Sequence, residues 1–118
     1  MIGIIDYGVG NIKAFANIYK RLNIAHRLVR TDQDFVDIDK IILPGVGAFD
    51  HAMASLHQSG LENKLQAKVI DQKVPVLGVC VGMQMLVTRS EEGELPGLNW
   101  LPGQVKKLKP QDKMPLPH

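Results

Sequence analysis

"VPVLGVCVGMQML", residues 74–86, decides how the rest of the chain is read. Its first half is a short apolar run, expected to be a buried strand over 75–79. Its second half reads as a helix over 82–88. Between them stands Cys80, the only cysteine in the chain, inside "GVCVG". A strand, a nucleophilic residue flanked by glycines and a helix make the pattern of a nucleophile elbow, here with Cys in place of Ser. The glycines have a steric purpose: on so tight a turn they let strand and helix approach without a Cβ clash. The turn would lift the side chain above the sheet at a helix N-terminus, where free N–H groups favour an anionic nucleophile. The N–H of Val81 would then point at the oxygen of a tetrahedral intermediate. The plainer reading makes Cys80 a small core residue, as free cysteines commonly are. The flanking glycines favour the nucleophile.

Outward from this stretch, strands and helices alternate. Residues 2–5 form an apolar run that ends in "DYGVGN", a strand entering a glycine turn. Ile12, Phe15, Ala16, Tyr19 and Leu22 then recur at helical spacing, so an amphipathic helix is expected over 11–22. Further strands are expected over 26–29 and over 41–43, the latter stopped by Pro44. Helices follow over 49–57 and 61–72, and a last strand is expected over 104–108. This order points to an α/β fold, a mostly parallel sheet with helices on both faces. In such sheets ligands bind outside the carboxyl ends of the strands. "DYGVGN", "PGVGAF" and "GVCVGMQ" all lie at ends of that kind, so these turns are expected to meet at one site. "PGVGAF" would offer a second backbone donor to an oxyanion, around Val46 and Gly47.

The 118 residues suit one domain, and 45% apolar with 22% charged residues is ordinary for a globular protein. A net charge of +2 gives no reason to expect nucleic acid or a membrane surface as partner. The basic run "KKLKPQDK", residues 106–113, reads as a solvated edge. A lone cysteine makes no internal disulfide, no apolar run reaches the roughly 18 residues of a membrane span, and "MIGIIDYG" does not read as a signal peptide. A cytoplasmic protein is expected. The histidine spacings offer no metal site, and no cofactor is expected.

Taken together, "IIDYGVGNI", "IILPGVGAFDHAM", "VPVLGVCVGMQML", "SEEG" and "PGLNWLPGQV" resemble class I (triad-type) glutamine amidotransferases in order and spacing. The "DYGVGN" and "PGVGAF" turns are similar in particular to the glutaminase subunits of imidazole glycerol phosphate synthase, in histidine biosynthesis. The resemblance implies a flavodoxin-like three-layer fold. It implies that Cys80 attacks the side-chain amide of glutamine, giving a glutamyl thioester and ammonia, and that water then releases glutamate. Val46, Gly47 and Val81 would form the oxyanion hole; Gly45, Gln84 and Glu92 would hold the glutamine. The ammonia would pass to a (β/α)₈-barrel cyclase subunit, bound as a heterodimer.

The resemblance also sets an expectation about extent. Family members carry a catalytic His and Glu near their far C-terminus, in an "H-P-E"-like segment without a counterpart here. Residues 1–118 are therefore expected to be the N-terminal portion of a single glutamine amidotransferase domain. His26, His51, His57 and His118 do not take the place of the base. Other readings are a non-catalytic fragment that keeps partner contacts and a paralogous subunit that feeds ammonia to amino-sugar synthesis. A dinucleotide-binding module is a further rival, since "GVGNIK" follows a strand and Asp32 lies downstream; but Lys13 stands where the third glycine belongs. General acid–base assistance is worth roughly 10²–10⁴-fold. The chain as written is thus expected to release little or no ammonia from glutamine at steady state. Sustained release that disappears in Cys80→Ala would refute this.

Overall fold

The computed structural model describes residues 1–90, 93–101 and 104–105. In chain order it contains β1 (Ile2–Ile5), α1 (Ile12–Arg21), β2 (His26–Val29), a 3₁₀ turn (Asp32–Phe35) and β3 (Lys40–Gly45). Next come α2 (Phe49–Ser59), α3 (Glu62–Gln66) with a π turn continuing it (Ala67–Asp71), and β4 (Val76–Cys80). The short elements α4 (Val81–Met85), β5 (Arg89–Ser90) and β6 (Gln104–Val105) complete it. The strand expected over 104–108 is seen at 104–105, and residues 106–118, with the basic run and His118, lie outside the described residues.

The first four strands form one parallel sheet in the order β2-β1-β3-β4. Successive side chains on a strand face opposite sides, and the sheet uses both. Ile5, Ile41 and Leu43 join the main core with Phe49, Met53 and Leu56 of α2, Leu65 of α3 and Met85 of α4. Ile4 and Ile42 face the other way and are buried too. That second face carries α1, whose Tyr19 shares a hollow with Ile2, Ile42 and Leu77. Helices thus cover both faces, as expected for a three-layer α/β fold. The α1 layer is thin, since no residue of α1 is buried. Ile18 on α1 is 51% exposed and Leu77 on β4 58% exposed. At the far edge, the backbone N–H groups of Arg30 and Thr31 donate to Asp34 at 2.9 and 3.0 Å. These bonds hold its carboxyl below the usual carboxylate range and set the turn that places Phe35 in the core.

Two boundaries differ from the sequence expectation, each for a physical reason. β3 does not stop at Pro44 but runs through it to Gly45. The Ile41 N–H donates to the Pro75 carbonyl on the β4 side, so residues 42 and 44 direct their backbone groups toward β1. The pairing of β1 with β3 ends at Ile4↔Ile42, and the N–H that Pro44 lacks therefore costs no ladder bond. The Pro44 carbonyl, left beyond that pairing, accepts the buried Tyr7 hydroxyl at 2.5 Å. The second difference is α4, which ends at Met85 instead of reaching Thr88. Its last carbonyls are taken by an incoming turn. Leu98 N–H donates to Met85 at 2.8 Å, Trp100 N–H to Leu86 at 2.9 Å and Asn99 N–H to Val87 at 3.1 Å.

Tyr7 therefore braces the end of β1 against the end of β3, and its oxygen also lies 3.4 Å from the Met85 sulfur. Burial pushes its phenol pKa well above the ordinary value. Tyr7→Phe keeps the ring and strands the Pro44 carbonyl, which is expected to cost about 1–3 kcal/mol in urea denaturation. An unchanged midpoint would show that the brace carries no load.

Candidate active site

The chain passes from β4 into α4 at a single residue. Cys80 ends the strand and is the N-cap of the helix, with φ 56° and ψ −124°. A side chain other than glycine rarely takes a positive φ, and such a residue costs roughly 1–3 kcal/mol. The strain follows from the packing around it. A Cβ on Gly82 would collide with the Leu43 carbonyl of β3, and one on Gly78 would come within 2.7 Å of the Met83 Cα. A Cβ on Gly45 would lie 2.6 Å from the Gly82 nitrogen. The elbow is thus locked to β3 and to its own helix, backbone against backbone, and the Cys80 side chain is left exposed.

The glycine-bearing turns do meet here. Asn11 of the first turn, Gly45 and Val46 of the second and Cys80 of the third line one cavity of about 260 Å³. Ala14, Phe15 and Ile18 of α1, with Pro44 and Val79, complete its walls. Gly10 explains the G-x-G of the first turn. At φ 115° its missing side chain lets the turn close on Pro44, whose Cβ would lie 2.8 Å from an added Cβ. Gly10 thus serves strand packing, while Gly8, at φ 91°, has open space where a side chain would be.

Of the expected site residues, Gly45, Val46 and Cys80 line this cavity, whereas Gly47, Val81 and Gln84 are not among its lining residues. Val46 is 60% exposed just past the end of β3, and Gly47 follows with φ 86° and open space where a side chain would be. Val81 is the first residue of α4, where backbone N–H groups have no partner within the helix. Gln84 lies on the same helix, half-buried, and its side-chain oxygen is buried with no hydrogen-bond partner among the described residues. Glu92 lies outside the described residues. None of the described histidines lines the cavity. His26 Nδ1 is 2.9 Å from the Ile24 carbonyl, His57 pairs with Glu62, and His51 is exposed on α2.

Two residues at the site were not anticipated from sequence. Tyr7 reads as part of a turn, and nothing local shows that its hydroxyl reaches Pro44. Asp50 reads as an ordinary acid in the first turn of a helix, yet it binds a segment far along the chain.

The family model for CobB/CobQ-like glutamine amidotransferase domains matches residues 4–114. The chain belongs to the glutamine amidotransferase family. It is similar to the imidazole glycerol phosphate synthase subunit HisH of Bdellovibrio bacteriovorus, with 59% identity over 109 residues, 92% of this chain and 53% of that protein. With subunit HisH 2 of Pseudomonas aeruginosa the identity is 44% over 118 residues, covering 100% of this chain and 58% of the relative. A crystal structure of a glutamine amidotransferase shares the fold, with a TM-score of 0.72 at 22% identity, over 89% of this chain and 55% of that one. The chain spans about half the length of these relatives.

The strain at Cys80 can be measured. Cys80→Gly removes it, against a cost of about 0.5–1 kcal/mol for the added freedom of glycine in the unfolded chain. Cys80→Gly is therefore expected to be more stable than Cys80→Ala by roughly 1 kcal/mol. Equal stability, or a less stable glycine variant, would show that the turn is unstrained.

Proposed function

We propose that this chain is the nucleophile-bearing, N-terminal portion, residues 1–118, of the glutaminase subunit of an imidazole glycerol phosphate synthase. The observation that carries the proposal is Cys80, exposed on a positive-φ turn at the head of α4 and sharing a cavity with Gly45 and Val46. The HisH relatives are named as imidazole glycerol phosphate synthase subunits, which supports the pathway expected from the family resemblance, histidine biosynthesis. Cys80 attacks the side-chain carbonyl carbon of glutamine. A C–S bond forms, the C–N bond breaks, and the nitrogen leaves as ammonia with the thiol's proton. Water then attacks the thioester, which returns the thiol and releases glutamate. The N–H groups of Val46 or Gly47 and of Val81 receive the oxyanion; a donor of this kind is worth about 3 kcal/mol in the transition state.

Gly45, Gln84 and Glu92 hold the glutamine. Gln84 stands on α4 one turn after Cys80, and its side-chain oxygen has no hydrogen-bond partner among the described residues. The general acid–base group is the His–Glu pair of the family, which belongs to the part of the relatives that this chain does not span. The ammonia acceptor is held by a (β/α)₈-barrel cyclase subunit, joined as a heterodimer and bordering the turns at the carboxyl ends of β1, β3 and β4. The setting is the cytoplasm, and no described helix is long and apolar enough to cross a membrane.

The test is the intact mass of the folded chain after incubation with a diazoketone analogue of glutamine. A single adduct on the wild type and none on Cys80→Ala is expected. No adduct on the folded wild type, or an equal adduct on Cys80→Ala, would overturn the assignment.

A further inference from the structure

An acidic residue in the first turn of a helix ordinarily serves the helix itself, by capping it or by answering its dipole. Asp50, second residue of α2, is used differently. The N-cap of α2 is Ala48, without a side-chain cap. Both carboxylate oxygens of Asp50 accept the Glu94 N–H, at 2.9 and 2.8 Å, and Oδ1 also accepts the Leu95 N–H at 2.9 Å. These donors lie 44 and 45 residues further along the chain. Gly93, beside them, packs so closely that a Cβ would collide with Asp50 Oδ1 and come within 2.8 Å of the Phe49 ring. Its own N–H donates to the Ser90 carbonyl at 3.2 Å. Residues 93–95 are thus fastened to the start of α2, which emerges directly from the Gly45–Val46–Gly47 turn beside Cys80.

We infer that Asp50 is a positioning residue for glutamine recognition, fixing the 93–95 segment relative to the turn that receives the oxyanion. The inference rests on the glutaminase reading above. In the sequence the fastened segment directly follows Glu92, one of the residues proposed to hold the substrate. Asp50 makes its bonds to backbone N–H groups, so the segment's position does not depend on the side chains of Glu94 and Leu95. Its bonds bring no group to the Cys80 thiol, and the nucleophile's own reactivity is independent of it.

The experiment compares wild type, Asp50→Ala and Asp50→Asn in two reactions followed by intact mass. One is labelling by the diazoketone glutamine analogue at a series of concentrations; the other is alkylation of Cys80 by iodoacetamide. Asp50→Ala is expected to raise the half-saturating analogue concentration at least about tenfold, because charge-assisted bonds to backbone N–H groups are lost. Its limiting rate and its iodoacetamide rate stay within about twofold of wild type, the margin that separates a lost contact from a lost fold. Asp50→Asn keeps one acceptor oxygen and falls between the two, which also serves should the alanine variant fail to fold. An unchanged half-saturation in both variants overturns the inference. So does an equal loss in both reactions, which would make Asp50 a general support of the fold. A folded wild type that takes no analogue at all is a separate result, and it removes the glutaminase reading together with the role assigned to Asp50.

Discussion

The site depends on one close approach, the backbone of α4 against the backbone of β3. Gly82 has no room for a Cβ because the Leu43 carbonyl occupies that place, and Gly45 has none because of the Gly82 nitrogen. With Gly78 pressed against Met83, three glycines form a contact that no side chain could enter. The helix must begin at this height above the sheet, so the chain has to turn from strand to helix within one residue. Cys80 therefore takes a positive φ. Strain of roughly 1–3 kcal/mol is a substantial fraction of a domain's total stability of about 5–15 kcal/mol. It persists because Met85, Leu86 and Leu98 are buried in the core only when α4 sits where it does. Packing fixes the turn, and the turn presents the thiol.

A second brace secures the same region from β1. Tyr7 places its hydroxyl on the carbonyl of Pro44, the residue before Gly45 in β3. Without that hydroxyl, the end of β3 would lack a neighbour on the β1 side, since the pairing stops at Ile4↔Ile42. The turn at Gly45–Gly47 thus starts from a strand end held on one flank by β4 and on the other by a phenol. Backbone contacts and one buried side chain set where Cys80 stands relative to that turn. Asp50, just beyond the turn, ties the start of α2 to the backbone of Glu94 and Leu95.

How much of this could be read from the residues depended on how local the cause was. The parallel strands, the amphipathic α1 and the elbow at Cys80 rest on patterns a few residues long, and all appear where those patterns put them. Pro44 was misread as a strand stop because its effect depends on which neighbour faces its nitrogen, a matter of sheet order. The early end of α4 depends on the turn at 97–101, which takes the carbonyls of Met85, Leu86 and Val87. Tyr7 and Asp50 reach partners 37 and 44 residues away, and neither carries a local sign of it. The roles proposed for Gln84 and Glu92 came from the family resemblance; a solvent-facing glutamine and a loop glutamate would otherwise have been the natural readings.

The sheet itself is unevenly completed. β1 and β3 each have a neighbour on both sides, whereas β4 has β3 alone among the described residues. Its sequence, "VLGVC", has the continuous apolar character of a parallel strand enclosed by others, yet Leu77 is 58% exposed. Protein edges are ordinarily kept short, charged or covered, whereas β4 carries no charged residue and, among the described residues, has no strand on its outer side. Cys80 stands at the carboxyl end of this strand, and its surroundings are uneven in the same way. On one flank β3 pairs with β4 as far as Gly45↔Cys80, and the Tyr7 hydroxyl holds the Pro44 carbonyl beyond it. On the other flank no strand pairs with β4 among the described residues. The thiol is therefore exposed on the less enclosed side of a turn whose backbone is tightly packed.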